Sequence, residues 1–218
     1  MKKTIIYFCF LLSSLVHGQD TKYMQAMQKN VSILDSAKEI ISFQNVNNAF
    51  ERIGNANQNE WLPLYYQSYC HLMIGLGQGE NSKKDEYFDQ AQQLIDKADL
   101  LNSDNSEIAV LQSFINSMKI AVDPMTRGQK LGMQSSMLIA KAIKLDNENP
   151  RAYLLKGTGL MYTPAQYGGG KDKAIPVLEM AVAKFKSFKP VSSVMPHWGE
   201  ERANVVLEQC KKSEQNGN

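Results

Sequence analysis

The chain has 218 residues, with 24 Lys and Arg against 22 Asp and Glu, 43% hydrophobic residues and three cysteines. Removing the first 18 residues takes away Lys2 and Lys3 and leaves 22 cations facing 22 acids. That balance leaves no basic excess to argue for nucleic acid or an anionic membrane as partner, and about 200 residues suffice for one domain or one short repeat array.

Taken in order, the chain opens on a secretory signal. Lys2 and Lys3 precede an apolar run over residues 5–12, and Ser13, Ser14 and Val16-His17-Gly18 supply a small-residue cleavage site. The run is too short to span a bilayer, so no integral membrane segment is expected after cleavage behind Gly18. Cys9 follows Tyr7-Phe8 inside the run, which is not the setting of a lipidated cysteine. The expectation is a periplasmic or secreted product with residues 1–18 as signal peptide, 19–212 as a single helical domain and 213–218 as a disordered tail. Cys70 and Cys210 survive cleavage; a bridge between them and a pair of buried thiols both stay open.

Apolar spacing of three and four then predicts helices throughout. Tyr23, Met27, Val31, Leu34 and Ile41 predict one long first helix; Trp61, Leu64, Tyr65, Ser68 and Leu72 a second. Ile108, Leu111, Ile115, Met118 and Val122 predict a third, and Tyr153, Gly157 and Leu160 a fourth. Each is followed by a helix carrying the same stripe, small residue, aliphatic, alanine: Ala49-Ile53-Ala56, Ala91-Ile95-Ala98, Ser135-Ile139-Ala142 and Ala174-Leu178-Ala181. Steps of four and three put all three on one helix face, where two small side chains let a neighbouring helix come close. The closing alanines are 42, 44 and 39 residues apart. Turn residues fall between the stripes, at Asp123-Pro124 and Asn147–Pro150 among others, and nothing alternates with period two. The fold class expected is all-α.

A bulky residue opening one helix, a small residue four positions on, then the small-x3-aliphatic-x2-Ala stripe and an Asn-Pro turn resemble the tetratricopeptide repeat. Asn149-Pro150-Arg151-Ala152-Tyr153, Gly157, Leu160, Ala174, Leu178 and Ala181 carry the resemblance best. It implies antiparallel helix hairpins wound into a superhelix of about four units, with a C-terminal capping helix from Pro196 to Cys210 that packs Trp198 and Leu207 inward. The spacings exceed the family's repeat of about 34 residues, with the surplus expected between the two helices of a unit, and Tyr65 stands where a small residue belongs. Tyr167-Gly168-Gly169-Gly170-Lys171 is also similar to the T-component of tripartite periplasmic transporters, over one repeat only.

The resemblance further implies a partner groove, since the first helix of each unit lines the concave side. Its residues here are Tyr66 and Tyr69; Glu107, Val110, Phe114 and Ser117; and Arg151, Leu154, Thr158 and Met161. Packing against the next repeat is the competing role for the apolar ones. The partner class implied is a protein or peptide of the cell envelope; the alternative is an accessory subunit of a periplasmic transport system that holds a small ligand. No catalytic residue, cofactor or metal site is expected. Gly168–Gly170 before Lys171 lack P-loop spacing, adjacent Cys70 and His71 point about 100 degrees apart on a helix, and no Gly-x-Ser-x-Gly elbow occurs.

Overall fold

The computed structural model describes residues 21–215, and the predicted signal peptide lies outside them. Nine α-helices are present among the described residues, and no strand. They are α1 (21–35), α2 (Ile40–Ala56), α3 (Trp61–Leu76), α4 (Asn81–Leu101), α5 (Ser106–Val122), α6 (Pro124–Leu145), α7 (Pro150–Tyr162), α8 (Lys171–Ser187) and α9 (Glu200–Gln215). A 3-10 turn at Ala165–Tyr167 separates α7 from α8. Helix α9 runs past the boundary at 212 that composition drew, and the last three residues lie outside the description.

The single long first helix expected from residues 23–41 is two helices. The chain turns at 36–39, where Ala37 N donates to Leu34 O and Ser42 N to Glu39 O. Ile41 therefore belongs to α2, where it is exposed.

Side-chain capping sets three of the helix starts. The Asn105 side chain accepts from the backbone of Glu107 and Ile108 to start α5; Asp123 accepts from Thr126 to start α6; Asn149 accepts from Arg151 to start α7. Each satisfies amide donors that a helix start leaves without intrahelical partners. Pro124 and Pro150 sit in the first turns of α6 and α7, where a missing N–H loses nothing.

The most extensive contacts join α3 with α4, α5 with α6 and α7 with α8, three antiparallel hairpins. Helices α3, α5 and α7 touch in series and form the inner layer; α4, α6 and α8 lie outside them. The stripes of small residues seal each hairpin. Ala91, Ile95, Ala98, Ala142, Ala174, Leu178 and Ala181 are fully buried. Facing them, Ser68 Oγ donates to Ala91 O at 2.7 Å, and Ser106 Oγ to Ala142 O at 3.0 Å. At Gly157 a Cβ would lie 2.6 Å from Leu178 Cγ, so only glycine permits α7 and α8 to meet there. This is an all-α superhelix of helical hairpins. Two units exceed the expected repeat because α4 and α6 are 21 and 22 residues long, whereas in the α7–α8 unit the surplus lies between the helices as expected, in residues 163–170 with their 3-10 turn.

Two apolar clusters result. The larger spans α1 to α7, and the smaller joins Leu154 of α7 to Leu178 and Phe185 of α8 and Val206, Leu207 and Cys210 of α9. Cys70 belongs to the first and Cys210 to the second, and no disulfide joins them.

Candidate functional site

The residues expected to line the concave face do converge, but the chain covers them itself. Between α8 and α9, residues 188–199 carry no helix and return across the inner layer as a strap. The Tyr66 hydroxyl donates to Val194 O at 2.7 Å, and the Trp198 indole N–H donates to the Tyr65 hydroxyl at 2.8 Å. The Trp198 ring stacks on Tyr69 and Phe114, with centroids 5.3 and 5.7 Å away. Thus Trp198 docks on α3 and α5 rather than within a terminal cap, and bulky Tyr65 is there to hold it. The strap also reaches α1, where Gln28 Nε2 donates to Ser193 Oγ at 2.7 Å and His197 Nε2 lies 2.9 Å from Asp35 Oδ1. Gly199, with φ of 112°, makes the turn into α9 that other residues adopt only under strain.

Beneath the strap lies an ion pair. Arg151 is 0% exposed; its Nε donates to Glu107 Oε2 at 2.8 Å and its Nη2 to Glu107 Oε1 at 2.5 Å. Asn149 Nδ2 donates to the same carboxylate at 2.9 Å, and the guanidinium lies 4.5 Å over the Phe188 ring. Burial pushes the Glu107 carboxyl upward, against the opposing pull of the Arg151 charge and its hydrogen bonds. Burial likewise raises the phenols of Tyr65, Tyr66 and Tyr69, which therefore stay neutral at physiological pH.

Tyr66, Tyr69, Glu107, Phe114 and Arg151 lie together, as the bed of an intramolecular segment. Tyr66, Glu107, Val110, Phe114, Arg151 and Leu154 are buried, while Tyr69, Ser117, Thr158 and Met161 are half-buried. The Ser117 and Thr158 hydroxyls donate to Ser113 O and Leu154 O of their own helices. As folded, this face is not open to a peptide.

Two clefts lie elsewhere among the described residues. One, of about 520 Å³, opens between α4, α5 and α6 over Leu131, Met137 and Leu138, with Gln92, Gln112 and Asn116 beside them. Its two cations are engaged: Lys119 Nζ lies 2.7 Å from Asp89, and Lys141 Nζ donates to Ser103 O at 2.6 Å. The other, of about 470 Å³, lies between α1 and α2. Ala26, Ala49, Ile53 and Ala56 supply its apolar lining, Tyr23 an aromatic ring, and Lys22, Lys29 and Arg52 its charge. Burial first, and then the nearby Glu60 carboxylate, raise the Tyr23 phenol. Neither cleft follows from the helical spacing of the sequence. The signal for the second was Lys22 and Lys29 two helical turns apart, flanking Ala26.

Among the described residues no group of three His, Cys, Asp or Glu side chains could hold a metal ion, and no helix is long and apolar enough to cross a membrane.

Fold and clefts together define an all-α hairpin superhelix with residues 188–199 lying across its inner face and clefts between its helices. No family model matches the chain, and no curated protein matches it. Among solved structures, the HusA haemophore from Porphyromonas gingivalis is 36% identical, covers 88% of this chain and 94% of its own, and superposes with a TM-score of 0.78. At that identity and coverage the chain belongs to the same family as HusA.

Proposed function

We propose that the chain is an exported carrier of a tetrapyrrole, haem or a porphyrin, which it holds as cargo rather than as a resident cofactor. The observation that carries this reading is the 36% identity to a haemophore along 94% of that protein. The geometry agrees with it. Clefts of about 470 and 520 Å³ fall within the size range of small-molecule sites, whereas the inner face suited to a peptide is occupied by the strap. The small-ligand alternative from the sequence therefore comes forward, and the envelope-peptide adaptor recedes. The signal-like residues 1–18 support export, and the stripes of small residues support a tetratricopeptide-like origin for the hairpins.

The clefts offer little to iron itself. Met137 brings a thioether to one and Tyr23 a phenol to the other; burial works against the phenolate that iron would need. Ring contact and the ligand's carboxylates therefore carry the binding. Titrating the chain from Gln19 onward with haemin and with protoporphyrin IX tests the reading by the Soret band. A shift that saturates at one ligand per chain is expected. A band that never departs from that of free ligand overturns it.

A further inference from the structure

We infer that the α1–α2 cleft is the tetrapyrrole site, and that Lys22, Lys29 and Arg52 form a cationic rim for the carboxylate edge of a flat apolar dianion. This rests on the tetrapyrrole reading and assigns it a place.

The first hairpin is an exception to the repeat. In the α3–α4, α5–α6 and α7–α8 hairpins, the closing stripe of small residues is sealed against its own first helix, as Ser68 with Ala91, Ser106 with Ala142 and Gly157 with Leu178 record. The equivalent stripe of α2 is not sealed. Ala49 is half-buried and Ala56 exposed, where the alanines of the other stripes are fully buried, and both line the cleft together with Ile53, which is half-buried like Ile139 of the α5–α6 stripe. Small side chains that elsewhere admit a helix here leave an apolar floor that a flat ring can lie on.

The cleft also carries charge. Lys22, Lys29 and Arg52 are exposed and make no ion pair with an acid among the described residues, and no Asp or Glu lines the cleft. Seven residues of helix place Lys22 and Lys29 about 10 Å apart on one face, with Arg52 reaching from the other helix. An apolar floor under a cationic rim, with Glu60 near Tyr23 beside it, fits a ligand with one anionic edge. The α4–α6 cleft lacks this combination because its lysines already face Asp89 and Ser103 O.

Comparing protoporphyrin IX with its dimethyl ester, on the chain from Gln19 onward, tests the assignment. Wild type is expected to bind the diacid about tenfold or more tightly than the ester, and K22E/K29E/R52E to lose that preference while keeping its affinity for the ester. The three positions are exposed, and unchanged helical circular dichroism checks that the variant folds. A49W, which fills the floor, is expected to weaken both ligands. If the triple variant and A49W both bind the diacid as wild type does, this cleft is wrong although the tetrapyrrole reading stands. If wild type binds neither ligand, that reading falls and the assignment with it.

Discussion

Arg151 shows at the scale of one residue how position in a repeat differs from exposure. Its offset from Tyr153 placed it correctly on the inner face of α7, yet it is fully buried against Glu107. A buried pair is costly to break because the surviving charge stays desolvated. Arg151→Ala should therefore destabilise the chain by about 3–5 kcal/mol, measured by urea denaturation. E107Q/R151M, which removes both charges, should lose less than that single variant. If the double variant is the weaker protein, the pair contributes through more than the avoidance of an orphaned charge. Tyr65 is the reverse case. It looked wrong for a repeat whose first helix wants a small residue, and became intelligible only with Trp198 donating to its hydroxyl. No local pattern could announce that contact, because the two residues are 133 positions apart.

Among the elements, the small-residue stripes were the most legible part of the chain, because they record close helix packing directly. Ala142 and Ala181 are both fully buried in them. Ala142→Glu or Ala181→Glu should cost about 4 kcal/mol or more by placing an unpaired charge at a close helix contact. Thermal unfolding by circular dichroism measures this, and wild-type melting in both variants would contradict the packing described. The break at 36–39 was not legible, since Leu34 and Ile41 keep helical spacing across it, and no Gly or Pro marks the turn. Nor was the strap, because residues 188–199 have neither helical nor alternating spacing and their partners lie on α1, α3, α5 and α7.

Ion pairs across elements were equally hidden. Arg127 of α6 donates to both Asp85 oxygens of α4, at 2.5 and 2.8 Å. The Arg127 hydrogen bonds hold the Asp85 carboxyl below its ordinary value of 3.8. Its contribution to stability is thus fully present above that value and is lost as falling pH protonates the folded protein. Asp85→Asn should lower the melting temperature at pH 7, and its deficit against wild type should shrink steadily below about pH 4. A deficit independent of pH would mean that Asp85 acts through packing and not through charge.

Over the whole molecule, the hairpins wind around an inner face that the chain closes with its own strap, and the openings of ligand size are left outside. The fold class was legible because periodicity and small-residue spacing are properties of sequence. The clefts were not, since each depends on how far neighbouring helices stand apart. Ala49, Ile53 and Ala56 belong to the same stripe as their counterparts in later units, and only the structure shows that α1 leaves them uncovered.

Whether the protein binds a tetrapyrrole is decided by the Soret titration of the chain from Gln19 onward. A shifted band with haemin and with protoporphyrin IX is expected, each saturating at one ligand per chain. A spectrum that remains the simple sum of protein and free ligand at every ratio would contradict it.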